Sequence, residues 1–316
     1  MTMPDAPRWT DSAAAWPPLP LEAWRDTCDT LHMWTQIVGK VRLTLTRRIN
    51  HYWHSTFYVT PRGLTTSAIP YGSGTFEMRF DFLAHELVID VSDGATRRVR
   101  LAPRTVADFY KDVMETLDAL GISVRIVAIP DEVPNPIPFA EDTQHASYDP
   151  EYATRFWRVL ASADTVLKAF RGRFMGKCSP VHFFWGSFDL AVSRFSGRRA
   201  SPPPGTDADF LTREGYSHEV SSVGFWPGSG TVLEPAFYAY TAPAPPGLER
   251  AGVQPAGASY DKGLGEFLFP YERMRTAASP RWALLEFAQS SYEAGADLAG
   301  WDRAALERPR PSTGWT

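Results

Sequence analysis

Residues 181–194 read VHFFWGSFDLAVSR, and residues 50–62 read NHYWHSTFYVTPR. Each opens on a histidine and runs into aromatic and β-branched residues, the composition of a strand. Successive side chains of a strand point to opposite faces. On that reading His51, Trp53, Ser55, Phe57 and Val59 share one face, and Tyr52, His54, Thr56, Tyr58 and Thr60 share the other. In the later stretch His182, Phe184, Gly186, Phe188 and Leu190 fall opposite Phe183, Trp185, Ser187 and Asp189. One face of each ribbon is apolar and reads as core. The other mixes rings with imidazole, hydroxyl and carboxylate groups, the apolar walls and few directional groups that a ligand pocket needs.

Working outward, residues 21–38 place Leu21, Trp24, Cys28, Leu31, Trp34 and Val38 at helical spacing, with Pro17, Pro18 and Pro20 before them and Gly39 as the expected stop. Strands are expected at 76–82, 87–91 and 97–101, the last two joined at Asp93-Gly94. Residues 104–120 form an amphipathic helix, and a short strand is expected at 123–129. The proline-rich stretch 130–138 marks a boundary between halves near residue 140, giving halves 1–140 and 141–316. The second half starts with a helix capped by Asp149, with Pro150 at its first position. A surface loop at 198–209, strands at 218–226 and 235–242, a Pro/Gly-rich stretch at 243–265 and a final helix at 280–300 complete it. The fold class is α+β: two related halves, each a mostly antiparallel sheet with helices packed on one face.

The halves also share wording. A shift of 131 residues sets His51 on His182, Tyr52 on Phe183, Ser55 on Gly186 and Phe57 on Phe188, and Gly39-Lys40 parallels Gly176-Lys177. Residues 103–121 parallel 280–300 in the same loose way. An internal duplication and a chance likeness of two α+β halves both fit this. A duplication would place a ligand site at the junction of the halves.

The chain has 316 residues, is 44% hydrophobic and 22% charged, and carries 11 Trp, 12 Tyr and 19 Phe. The aromatic excess suits both a ring-rich core and a small-molecule pocket. A net charge of −4 without Lys/Arg runs argues against nucleic acid. Two cysteines, Cys28 and Cys178, lack zinc spacing and fit a reducing cytoplasm. The first residues lack the basic and apolar regions of a signal peptide, and no apolar run is long enough to span a membrane, so a cytoplasmic protein without membrane contact is expected.

The candidate chemistry follows from the mixed faces. His54, Asp189, His218 and Glu219 are the candidate catalytic groups, as acid/base residues or, less favoured, as ligands of a divalent metal. Adjacent His218 and Glu219 would face opposite ways in a regular strand, and no local metal motif such as HExxH is present. Tyr52, Tyr58, Trp185, Arg194 and Tyr216 are the candidate substrate-binding residues, Arg194 neutralising a substrate anion. The bland reading makes His51 and His182 core histidines, pairs Asp189 with Arg194 or Arg198, and leaves both cysteines as inert thiols. Two functions are weighed: a small-molecule enzyme with its pocket between the halves, and a binding or assembly module, homo-oligomeric for instance, with structural histidines and rings.

The segments LHMWTQIVGKVRL, NHYWHSTFYVTPRGLTTSAIPY, SPVHFFWGSFDLAVSRFSGR and YSHEVSSVGFWPG resemble the hallmark segments of DUF5996, a bacterial family of unknown function. The likeness spans residues 16–306. It implies a soluble bacterial protein and transfers no activity, ligand or catalytic residue.

Overall fold

A computed structural model of the chain describes residues 13–201, 210–229 and 232–308. Most of the expected loop at 198–209 lies outside the described residues. A 3₁₀ turn at Leu21–Ala23 leads into α1 (Arg25–Leu45), which buries Leu31, Trp34, Ile37, Val38 and Val41. The expected stop at Gly39 does not occur. Gly39 sits inside the helix for a packing reason: a Cβ there would come 2.4 Å from the Trp185 ring.

Six short strands follow: β1 (Tyr58–Thr60), β2 (Gly63–Thr65), β3 (Ile69–Tyr71), β4 (Gly74–Asp81), β5 (Glu86–Val91) and β6 (Thr96–Arg100). They pair antiparallel in the order β1-β2-β4-β5-β6, with β3 beside β4. Phe76, Met78 and Phe80 alternate inward on β4, and the Asp93-Gly94 turn joins β5 to β6. Helix α2 (Val106–Ala119) closes this half, its first turn capped by the Thr105 hydroxyl, which accepts from the Asp108 N–H at 3.0 Å. The strand expected at 123–129 is extended chain, not a strand. Val124, Ile126 and Ala128 turn inward as the alternation requires, but no strand among the described residues pairs with it.

The second half opens with α3 (Pro150–Gly172), capped by Asp149, whose Oδ1 accepts from the Glu151 and Tyr152 N–H groups. Then come β7 (His182–Phe184), β8 (Asp189–Arg199), α4 (Phe210–Gly215), β9 (His218–Trp226), β10 (Ala236–Ala242), β11 (Ser259–Asp261) and β12 (Glu266–Pro270). Helices α5 (Tyr271–Arg275), α6 (Pro280–Leu298) and α7 (Arg303–Leu306) end it. The sheet order is β11-β12-β10-β9-β8-β7, antiparallel throughout. The molecule is therefore α+β, with one antiparallel sheet in each half. Helices α3 and α6 cover one face of the second sheet, where Leu190, Val192 and Arg194 are fully buried.

The two stretches that opened the sequence reading differ from a continuous ribbon. Residues 50–57 form a 3₁₀ turn and bends, with His51 and Tyr52 at φ 57° and 58°, and the strand begins only at Tyr58. Residues 181–194 are split by a turn at 185–188, where Phe188 has φ 58°. The two stretches meet: the Phe57 N–H donates to the Phe183 carbonyl at 2.8 Å and the Phe183 N–H returns a bond at 2.7 Å. Beyond this bridge, the Trp185 indole N–H donates to the Ser55 carbonyl at 2.7 Å, and Gln36 of α1 bonds both backbone groups of Asp131 in the proline-rich stretch. One apolar core, including Trp34, Phe57, Phe156 and Phe183, runs through both halves.

Candidate functional site

Strand alternation along β8 sends Asp189, Ala191, Ser193 and Phe195 to the face opposite α3 and α6, where Asp189, Ala191 and Phe195 are buried by other parts of the chain. The neighbouring strands place Ser222 beside Ser193, their hydroxyls 3.0 Å apart, and Tyr238 and Tyr240 beyond. The two tyrosine rings stack at 6.3 Å, and Tyr216 lies 6.2 Å from Tyr240. Gly224 of β9 makes room for this: a Cβ there would come 2.4 Å from the Tyr238 hydroxyl. Tyr238 can thus reach across β9 and donate to Asp189 Oδ2, while Ser187 donates to Oδ1.

Glu266 stands at the head of β12, just before the paired residues Phe267 and Ala239. Burial, then the nearby Asp189 and Asp261, push its carboxyl up to about 7. Its side chain is half-buried, and no hydrogen bond holds it among the described residues. Burial also raises Asp189, against the two hydroxyls that favour its charged form. A third carboxylate, Glu132, reaches over from the proline-rich stretch to Gly186 and bears on Tyr216. Glu266, raised to about 7 beside an Asp189 that burial also raises, and walled by tyrosines, can hold and pass a proton at neutral pH.

The opposite end of the same face is basic. Phe195 packs against His51 (4.7 Å between ring centroids) and against Trp53 (6.0 Å). His51 Nδ1 lies 3.2 Å from the Gly215 carbonyl, so it carries the proton. Nε2 then accepts from the Lys177 ammonium at 2.7 Å. His218 lies 6.0 Å from His51, ring to ring, and its Nδ1 faces the Ser217 hydroxyl at 3.1 Å.

The nine residues singled out from the sequence divide as follows. Asp189 and Tyr216 lie on the acidic, tyrosine-walled part of the face, and His218 lies at its basic end. His54 and Asp189 are not brought together. His54 is buried, its Nδ1 accepting from the Ile49 N–H at 3.2 Å and its carbonyl accepting from Arg42 at 2.7 Å, and Tyr52 packs on it at 5.3 Å. Tyr58 lies under the Arg42 guanidinium, 5.6 Å away. Trp185 is buried against Gly39.

Arg194 cannot meet a substrate anion from its place. It is fully buried under α3 and α6, stacked on Phe170 at 3.4 Å and near Tyr292 at 4.4 Å, and burial draws its pKa down to about 10. Glu219 pairs with Arg198 at 2.7 Å and with the Ser196 hydroxyl at 2.9 Å, apart from its neighbour His218. Asp189 pairs with neither arginine. His182 is fully buried with neither ring nitrogen bonded, and burial brings it down to about 3. Burial raises both thiols, which leaves Cys28 and Cys178 unactivated. Among the described residues no three His, Cys, Asp or Glu side chains are grouped to hold a metal ion.

The sequence reading missed Glu266, Tyr238, Tyr240, Glu132 and Lys177. Tyr238 and Tyr240 carried a signal, the alternation of FYAYTA. Glu266 carried none, because its environment is made by β8 and β10, far away in the chain. Two surface hollows lie elsewhere. One of about 530 Å³ is bounded by Pro17, Pro150, Arg155 and Arg158, and one of about 200 Å³ by Tyr58, Asp164, Lys168 and Arg171. Neither contains a carboxyl displaced as far as Glu266.

No helix among the described residues is long and apolar enough to cross a membrane. No curated protein and no solved structure matches the chain. A family model matches residues 16–308, nearly the whole length, and the chain therefore belongs to DUF5996, a family of unknown function.

Proposed function

We propose that the face of the second sheet opposite α3 and α6 is a small-molecule site, and that Glu266 and Asp189 transfer protons there. The observation that carries this is Glu266: a half-buried carboxyl without a hydrogen-bond partner among the described residues, held near neutrality beside a second buried acid. A structural carboxylate is normally paired and pulled the other way, as Asp81 is by Arg62. In this reading Glu266 is the group that exchanges a proton with substrate. Burial raises Glu266 most, and Asp189, fixed by Tyr238 and Ser187, is the second carboxyl that adds to that rise. The tyrosine rings supply flat walls, and their hydroxyls orient a polar group. Three carboxyls around three tyrosines favour an uncharged or cationic substrate group, such as a polyol or an amine. The two free cysteines fit a cytoplasmic setting.

The test starts from the protein without a known substrate. Carbon-13 NMR of glutamate carboxyls should show one that titrates near 7 and vanishes in Glu266→Gln. Small amines and polyols should then be screened for a rise in Tm and a shift of that resonance, both lost in Glu266→Gln and weakened in Tyr238→Phe. A Glu266 that titrates in the ordinary carboxylate range, with no compound disturbing it, would overturn the proposal.

A further inference from the structure

The basic end of the face has a different chemistry from the acid pair and does not depend on it. Lys177 follows α3 in the chain and is exposed. Its ammonium has three N–H groups, of which one is committed to His51 Nε2 at 2.7 Å. His51 is fixed by Gly215 on one side and packed between Trp53 and Phe195 on the others. It is held there by two consecutive left-handed residues, His51 and Tyr52, a conformation that residues with a Cβ adopt only when their surroundings impose it. The Ser217 hydroxyl gives its hydrogen to the Glu214 carbonyl at 2.8 Å and so accepts from His218 Nδ1–H, which leaves the Nε2 lone pair of His218 without a partner among the described residues. Arg199 stands directly across the strand pair from His218.

The charges here are one-sided. Lys177 and Arg199 both bear on His218, and Lys177 and His218 both bear on His51. The one carboxylate felt by His51, Glu214, is already bound by Arg48 through two guanidinium nitrogens. Glu219 is engaged by Arg198. The two free N–H groups of Lys177 and the open Nε2 of His218, a donor once protonated, thus share one patch with no uncommitted acid among the described residues, the arrangement that recognises an oxyanion.

We propose that Lys177 and His218, with His51 orienting Lys177, form a binding site for the oxyanion group of a small ligand, a phosphate monoester or a carboxylate. Lys177 donates two N–H groups to the anion, and His218 takes up a proton from solvent at Nε2 as the anion binds and donates through it. His51 acts as a positioning residue, since its Nε2 accepts from Lys177 and cannot itself donate. The aromatic pair Trp53 and Phe195 closes the apolar side.

Inorganic phosphate and acetate are the probes, each titrated at pH 7 into nitrogen-15 histidine-labelled protein and followed by the imidazole resonances. The expected result is saturable binding of one of them at millimolar concentration, with the His218 and His51 signals moving together. Phosphate binding tighter than acetate assigns a phosphoryl ligand, and the reverse assigns a carboxylate. Lys177→Met should weaken binding about tenfold, the loss of one charge-assisted contact. Lys177→Arg should restore part of it, and His51→Gln should weaken it less than Lys177→Met. Glu266→Gln should leave it unchanged, so this site and the acid pair fail or stand separately. No saturable response to either anion, or equal affinity in Lys177→Met and the unaltered protein, would refute the site. A folded state for each variant is read from the methyl region of the same samples.

Discussion

His51 and His182 stand at matched places in two stretches of similar wording, and they have opposite lives. His51 sits buried in a 3₁₀ turn with both nitrogens bonded. His182 sits in a strand, wholly enclosed by rings that include Phe184 at 4.5 Å and Trp53 at 6.3 Å, with neither nitrogen bonded. The difference lies in what each backbone pairs with. The chain at His182 has β8 beside it, with His182 opposite Ala191, so the ladder fixes its direction. The chain at His51 has no strand beside it, and side-chain and carbonyl contacts to Lys177 and Gly215 decide its course. A residue pattern suited to a strand becomes one only where a partner strand is available.

The largest effects should come from the enclosed histidine. His182→Ala should cost about 3 kcal/mol in denaturant unfolding, the range for emptying a well-packed ring site, while His182→Phe should cost under about 1.5 kcal/mol. Its pKa is depressed from 6.5 to about 3 on folding, so the unfolded chain takes up a proton first as pH falls. Stability should therefore drop by about 1.4 kcal/mol for each pH unit between 6.5 and about 3 on account of this group, and His182→Phe should flatten that slope. Identical slopes in the two proteins would show that His182 is not the neutral, unbonded group described.

The paired glycines sharpen the comparison at the next level. Gly39→Ala should destabilise by about 2 kcal/mol, because the clash with the rigid Trp185 ring outweighs the gain of about 1 kcal/mol in helix propensity. At Gly176 the close atoms are the ends of the Leu306 and Phe174 side chains, so Gly176→Ala should cost less. Thermal melts of the two variants decide this, and an equal loss would break the distinction.

Glu266→Gln tests the acid pair from the side of stability. A carboxyl raised on folding to about 7 favours the folded state fully below pH 4.5 and loses that contribution as pH rises through 7. At pH 8 the glutamine variant should be more stable than the parent by about 1 to 2 kcal/mol, after allowance for solvent at this half-buried group. A destabilised variant at that pH would mark Glu266 as structural.

The long helices, strands β4 to β6 and the strands at 218–226 and 235–242 were legible because their apolar periodicities are local and helix caps are encoded next to them, as at Thr105 and Asp149. Asp189 and Tyr216 were legible as members of a polar-aromatic face. Their supposed partner His54 was misplaced, because the alternation rule was applied to a stretch that turns before it becomes a strand. Glu266 was invisible: nothing beside it in the chain distinguishes it from an exposed strand-end acid.

The amino-acid order alone indicated the four long helices, where the polar-aromatic residues cluster and that the architecture is α+β. These depend on periodicity, proline and glycine, which act within a few residues. The tertiary structure alone decided that Gly39 stays inside a helix beneath Trp185, that Arg194 is buried rather than offered to a ligand, and that Asp189 and Glu266 share one face. Burial and charge proximity are set by chain segments that meet only after folding, and those two quantities control proton affinity and access.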